Sequence, residues 1–186
     1  VAVLVAVLVG VVILVGQDRA RPVSVTEARD RLGTAATDDG DGERPAEGVY
    51  RYEGTGSESL SVPPLSQDQG PTMPATVEHL DDGCWSFRLD YSTNHWQTWD
   101  YCPQADGLHE RGGSTWQRWM VGTTALTNLS RFDCPTSLVV PAEPTVDEAW
   151  EARCEGTNEL VDGTSTSAGT TTFVGEETLA VDGERV

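Results

Sequence analysis

Residues 84 to 102 read CWSFRLDYSTNHWQTWDYC. The first half alternates as an extended strand does. Trp85, Phe87, Leu89 and Tyr91 take one face, and Cys84, Ser86, Arg88 and Asp90 take the other. Reversal about Thr93, with Ser92-Thr93-Asn94 as the turn, sets Trp85 opposite Tyr101, Phe87 opposite Trp99, and Cys84 opposite Cys102. One register therefore yields two aromatic cross-strand pairs, each contributing about 0.2–1 kcal/mol. It also places two cysteines to bridge, and closing a loop of this size contributes about 3 kcal/mol. A bulge beside such a turn would move the register by one residue.

Working outward, short strands separated by turn clusters continue on both sides. Candidate strands are 49–53, 57–62, 76–80, 84–91, 95–102, 115–121, 126–133, 150–154, 171–174 and 177–181, and no long stretch has helical periodicity. The 10 prolines and 19 glycines fall mostly between them, as turn chemistry requires. The stretch 162–171, DGTSTSAGTT, reads as a loop. The expected fold class is mainly β: an antiparallel open half-barrel or sandwich, preceded by an N-terminal transmembrane helix.

The 4 cysteines allow three connectivities. The hairpin register favours Cys84 with Cys102, which leaves Cys134 with Cys154 across a proline-punctuated connection. No two cysteines have the close spacing of a zinc site, and His79, His95 and His109 are scattered, so no metal site is expected. Paired disulfides imply an oxidising compartment and place the domain outside the cytoplasmic membrane.

Residues 1–16, VAVLVAVLVGVVILVG, carry no charge. Sixteen helical residues span about 24 Å, short of a bilayer core of about 30 Å. The chain starts at Val, so further apolar residues upstream would complete an uncleaved signal anchor. A cleaved signal peptide is the alternative, but no small-x-small site follows Gly16. Arg19 and Arg21 argue mildly for a cytoplasmic downstream side, and the cysteines outweigh them. Residues 17–48 contain no aromatic residue. Ser24-Val-Thr-Glu27 has capping-box spacing and predicts a helix over Val25–Leu32 ended by Gly33, followed by an acidic tether. Asp39-x-Asp41-x-Glu43 is a poor match to a calcium loop, with Arg44 where glycine is required. Residues 49–186 are the expected extracytoplasmic β domain. At its end, Asp182-Gly183 is a turn signal followed by half a returning strand, as in a chain that continues.

A net charge of −18, with all 12 basic residues arginine, excludes an electrostatic nucleic-acid binder. No nucleophile elbow, phosphate loop, zinc-protease motif or dinucleotide fingerprint is present. The absence of lysine closes Schiff-base chemistry. No catalytic or cofactor-binding residue is assigned, and no cofactor is expected; His95 reads as an ordinary surface or turn residue. Asn128-Leu129-Ser130 matches a glycosylation acceptor, although an arginine-only composition points to a GC-rich, bacterial source. The strongest functional lead is the tryptophans: Trp96, Trp99, Trp116 and Trp119 form either core or an aromatic groove for a ligand.

Taken with the apolar start, the segments VSVTEARDRL, GVYRYEGTGSESLSV, GCWSFRLDY, HWQTWDYC, CEGTN and FVGEETLAVDG resemble a group of uncharacterised actinobacterial membrane-anchored or exported proteins. The resemblance runs from Val23 onward and implies no activity. More distantly, strand order and the Val-x-Gly-Glu-Glu turn are similar to the half-barrels of periplasmic lipoprotein carriers and mycobacterial lipid-binding lipoproteins, without their lipid-modified cysteine. That likeness carries no functional residue over. The expectation is a single-pass cell-membrane protein with its β domain extracytoplasmic. It is read as a non-enzymatic binding domain for an apolar or lipid-like ligand or an envelope partner, with the membrane as its other contact. A cell-envelope hydrolase or transferase, and the sensory ectodomain of a regulator, are the alternatives.

Overall fold

The computed structural model describes residues 20–33, 44–61, 63–178, 180–181 and 184–185. The apolar run 1–16 and the calcium-like residues 39–43 lie outside these. Among the described residues, no helix is long and apolar enough to cross a membrane.

The helix α1 spans Val25–Leu32, as its capping box predicts. Ser24 Oγ accepts from the Glu27 amide, and the Ser24 amide donates to Glu27 Oε2, so two otherwise orphaned donors are satisfied. Gly33 ends the helix at a φ of 78°. Among the described residues twelve strands follow: β1 Gly48–Glu53, β2 Gly56–Leu60, β3 Leu65–Gln69, β4 Thr72–His79, β5 Trp85–Ser92, β6 His95–Gln104, β7 Gly107–Val121, β8 Thr124–Pro141, β9 Ala149–Asn158, β10 Gly163–Thr172, β11 Ala180–Val181 and β12 Glu184–Arg185. Eight of them form one sheet in the order β1-β4-β5-β6-β7-β8-β9-β10, every neighbouring pair antiparallel. The hairpins β2–β3 and β11–β12 stand apart from it. The protein is mainly β and antiparallel.

The register read from residues 84–102 is the one observed. Trp85 pairs with Tyr101 and Phe87 with Trp99, each with ring centroids 5.9 Å apart. Both disulfides, Cys84–Cys102 and Cys134–Cys154, are formed. The turn itself differs. It is the two-residue Thr93-Asn94, and the third residue is instead a bulge between Asp90 and Ser92. The shorter turn and the bulge offset one another, which leaves the pairing beyond them unchanged.

Three expectations are corrected. The supposed loop 162–171 is β10, which pairs with β9 along its whole length. It has no buried face, so no alternation announces it; the ladder of backbone hydrogen bonds holds it. The strand expected at 171–174 ends at Thr172. β3 was not expected at all, because LSQDQ is polar and pairs only with β2.

α1 covers one face of the sheet near β1 and β4, with Val23 and Ala28 buried. There Arg31 and Arg88 both donate to Asp90, whose carboxylate is 1% exposed. Ala75 and Val77 of β4 are buried as well, and with Trp85 they form the opposite side of the core.

Candidate functional site: a cavity over an aromatic–glycine row

Residues paired across an antiparallel sheet lie on the same face, so a row can be followed from strand to strand. One row runs Phe87, Trp99, Gly113, Phe132, Gly156 and Ser165, across β5 to β10. The glycines are required. A Cβ at Gly113 would lie 2.0 Å from the Thr98 carbonyl oxygen, and one at Gly156 would meet the Phe132 ring at 2.7 Å. The strands and rings therefore close to distances that no other residue permits.

Above this row lies a cavity of about 420 Å³, within the range of about 300–1,000 Å³ usual for small-molecule sites. Trp99, Phe132 and the Cys134–Cys154 bridge supply apolar floor, Gln97 and Ser137 supply polar side wall, and β10 contributes Ser167 and Thr171. Glu110 also lines it, with a carboxyl oxygen 3.6 Å from Cys134 Sγ. Burial pushes the Glu110 carboxyl above its ordinary pKa, and the charge of Asp100 adds to this. Its pair partner Tyr101 is pushed up to about 12, by burial and then by Glu110. The site thus disfavours the charged form of Glu110 relative to a carboxyl in water. Glu110, Cys134 and Cys154 lie close together, but both sulfurs are bonded to each other and offer no thiolate to a metal.

The four candidate groove tryptophans divide between the two faces. Trp96 and Trp116 are cross-strand partners stacked at 6.3 Å, with the Arg88 guanidinium 4.1 Å over the Trp96 ring. Trp99 and Trp119 are each three residues further along, hence on the opposite face. Trp99 lines the cavity and Trp119 is buried. Of the four, only Trp99 belongs to this site.

A second cluster lies where the β2–β3 hairpin packs over the sheet. His95 Nδ1 is 3.1 Å from Glu58 Oε2, and His95 Nε2 is 3.2 Å from Thr115 Oγ1. The Tyr91 ring lies 4.6 Å from the imidazole, tilted by 37°, Gln69 reaches Nδ1, and Gln117 donates to Glu58. Burial opposes ionisation of Glu58, but hydrogen bonds and charge from His95, with bonds from Gln67 and Gln69, override it and hold its pKa below the ordinary value. The order of groups is carboxylate, imidazole, hydroxyl. His95 is buried, however, beneath the hairpin that supplies the carboxylate. The cluster works as a latch for β2–β3, which sequence spacing could not reveal. His109 instead meets Asp106 at 2.9 Å, and His79 bonds to the Pro45 carbonyl oxygen.

Comparison with known proteins finds no match: no family model, curated protein or solved structure matches the chain.

Proposed function

We propose that the protein is a membrane-anchored, extracytoplasmic, non-enzymatic binding domain whose ligand is a small apolar or lipid-like molecule held against Trp99 and Phe132. The observation that carries this reading is the aromatic–glycine row under a cavity walled by hydroxyl and amide groups together with Glu110 and Arg153. An apolar portion packs on the rings and the disulfide, and a neutral polar portion bonds to Gln97, Ser137, Ser167 and Glu110. The eight-stranded sheet, with β1 and β10 as its two ends, is read as an open half-barrel, with the cavity on its inner face. Two disulfides support the extracytoplasmic placement. The uncharged residues 1–16 support the anchor.

The test is titration of the protein with 1-monooleoylglycerol, followed by tryptophan emission. A saturable change that is lost in Phe132→Ala and Trp99→Ala is expected. No saturable change, or an unaltered one in both variants, would overturn the reading.

A second reading, ester hydrolysis through Glu58, His95 and Thr115, has the order of those groups in its favour. It requires the β2–β3 hairpin to lift, and it predicts turnover of p-nitrophenyl acetate that His95→Ala abolishes.

A further inference from the structure

The sheet has two unlike ends. Because consecutive strands from β4 to β10 are antiparallel neighbours, the connections 80–84, 105–106 and 142–148 lie at one end. The turns at Thr93-Asn94, Gly122-Thr123 and 159–162 lie at the other. The first end is acidic: Asp81, Asp82, Asp106, Glu143, Asp147 and Glu148 all fall in or beside its connections. The apolar side chains exposed there, Leu80, Val140, Val146 and Val174, are single residues, each within three positions of a carboxylate in the sequence.

The second end is different. From Trp119 to Ser130 the chain carries no charge, and Arg118 and Arg131 flank that stretch. His95 pairs with Gln117 and Ser130 with Asn158, so the tip of β7–β8, with Met120, Val121 and Leu126, projects beyond the paired portions of both neighbouring strands. Beside it, the β9–β10 turn exposes Leu160 by 53% and Val161 by 72%. Of the acids near this end, Glu159 pairs with Arg131 and Glu53 with Arg51, while Asp68 and Asp162 are exposed. Asp162 holds a left-handed turn position, with a φ of 47°.

The chain also enters from this end. The Thr93 amide donates to the Arg21 carbonyl oxygen at 2.8 Å, and the Arg21 amide donates to Thr93 Oγ1 at 3.1 Å. Between Gly16, where the apolar run stops, and Arg21 the chain can extend at most about 18 Å.

We infer that this end is a membrane-contact surface: the tip of β7–β8 and the Leu160-Val161 turn dip into the bilayer that holds residues 1–16. Arg21 and Arg131 lie at headgroup level with their partners Glu27 and Glu159, so that neither acid brings uncompensated charge to the surface. The acidic end points away, because an anionic leaflet repels it. A short tether and an apolar tip act together: the tether fixes which end meets the membrane, and the tip adds the buried area that holds it there. The inference rests on the anchored reading above.

The test uses the full chain in nanodiscs of phosphatidylcholine and phosphatidylglycerol in equal parts, carrying a gadolinium-chelate headgroup lipid. Flotation of the chain with vesicles of the same lipids is measured in parallel. Amide NMR signals of Val121–Ala125 and Leu160–Val161 are expected to disappear, while those of Asp82, Asp106 and Asp147 keep their intensity. The triple variant Val121→Glu, Leu160→Glu, Val161→Glu is expected to float with the vesicles yet retain the tip signals, its unchanged far-end signals certifying the fold. A chain that floats with its tip signals intact, or that loses signals at both ends alike, overturns the contact surface and leaves the anchor standing. A chain that does not float overturns the anchor and the contact surface together.

Discussion

The guanidinium of Arg31, on the helix, engages both carboxylate oxygens of Asp90 in the middle of the sheet. Arg88 approaches the same carboxylate within the strand at 3.0 Å. Two arginines thus neutralise one buried acid, and one of them ties the helix to the sheet. Arg31→Ala leaves Asp90 with Arg88 alone and is expected to destabilise the fold by about 2 kcal/mol. Chemical denaturation measures this. A loss within error of zero would mean that the helix docks through Val23 and Ala28 only.

The hairpin latch has a defined pH response. The Glu58 pKa is depressed in the folded protein, so its contribution to stability is present above the ordinary carboxylate range and is lost as pH falls through the depressed value. Amide exchange in β2 and β3 should therefore accelerate on acidification before exchange in β5 and β6 does. In Glu58→Gln the two hairpin strands should exchange faster already at neutral pH. Uniform acceleration across all four strands would show that the latch is not a separate element.

Glu110 has the opposite sign. Its pKa is raised by burial and by Asp100, so folding is favoured while the carboxyl is protonated, and that stability is lost as pH rises through the raised value. Glu110→Gln is expected to raise the melting temperature at neutral pH. The advantage should vanish below the ordinary carboxylate range, where both side chains are neutral. A variant less stable than the parent at neutral pH would contradict the assignment.

Gly113→Ala forces a Cβ against the Thr98 carbonyl oxygen, with the strands on both sides held by ladders. The expected loss is about 2 kcal/mol or more, of the kind seen when a backbone position has no room to relax. Gly169→Ala, where a Cβ meets nothing, is the control and should change stability little. Equal effects would mean that backbone entropy, not close approach, is at work.

Mass measurement after thiol alkylation should show no label on the folded, unreduced chain and 4 labelled cysteines after reduction. Reduction should lower stability by several kcal/mol, since each bridge closing a loop of this length contributes about 3 kcal/mol. Labelling before reduction would remove the argument for an oxidising compartment.

What was legible in the sequence was local or periodic. Ser24 and Glu27 mark the helix start because a cap is a three-residue relationship. Trp85, Phe87, Trp99 and Tyr101 declare their register because aromatic residues recur at period two on both arms of one hairpin. The same alternation puts Trp96 and Trp99, three residues apart, on opposite faces, and likewise Trp116 and Trp119, which the grouping of all four in one groove overlooked. The meeting of Glu58 with His95 was not legible, since it joins a polar hairpin to a distant turn with no local pattern. Nor was the site row, whose function depends on Gly113 and Gly156 being level with Trp99 and Phe132 across four strands.

The outer wall of the cavity stands on β10, and Ser, Thr, Gly and Ala alternate there without distinction between its two sides. No apolar set on either side of that strand would move from shelter into water on a shift along β9, so its register rests on its two ends. Asn158 Oδ1 accepts from the Leu160 and Val161 amides in the turn before it, and Phe173 exchanges backbone hydrogen bonds with Asp147 and Glu148 after it. The aromatic floor is held by disulfide and glycine, and the opposing wall by a clamp at either end, so the width of the opening is set far from the rings that line it.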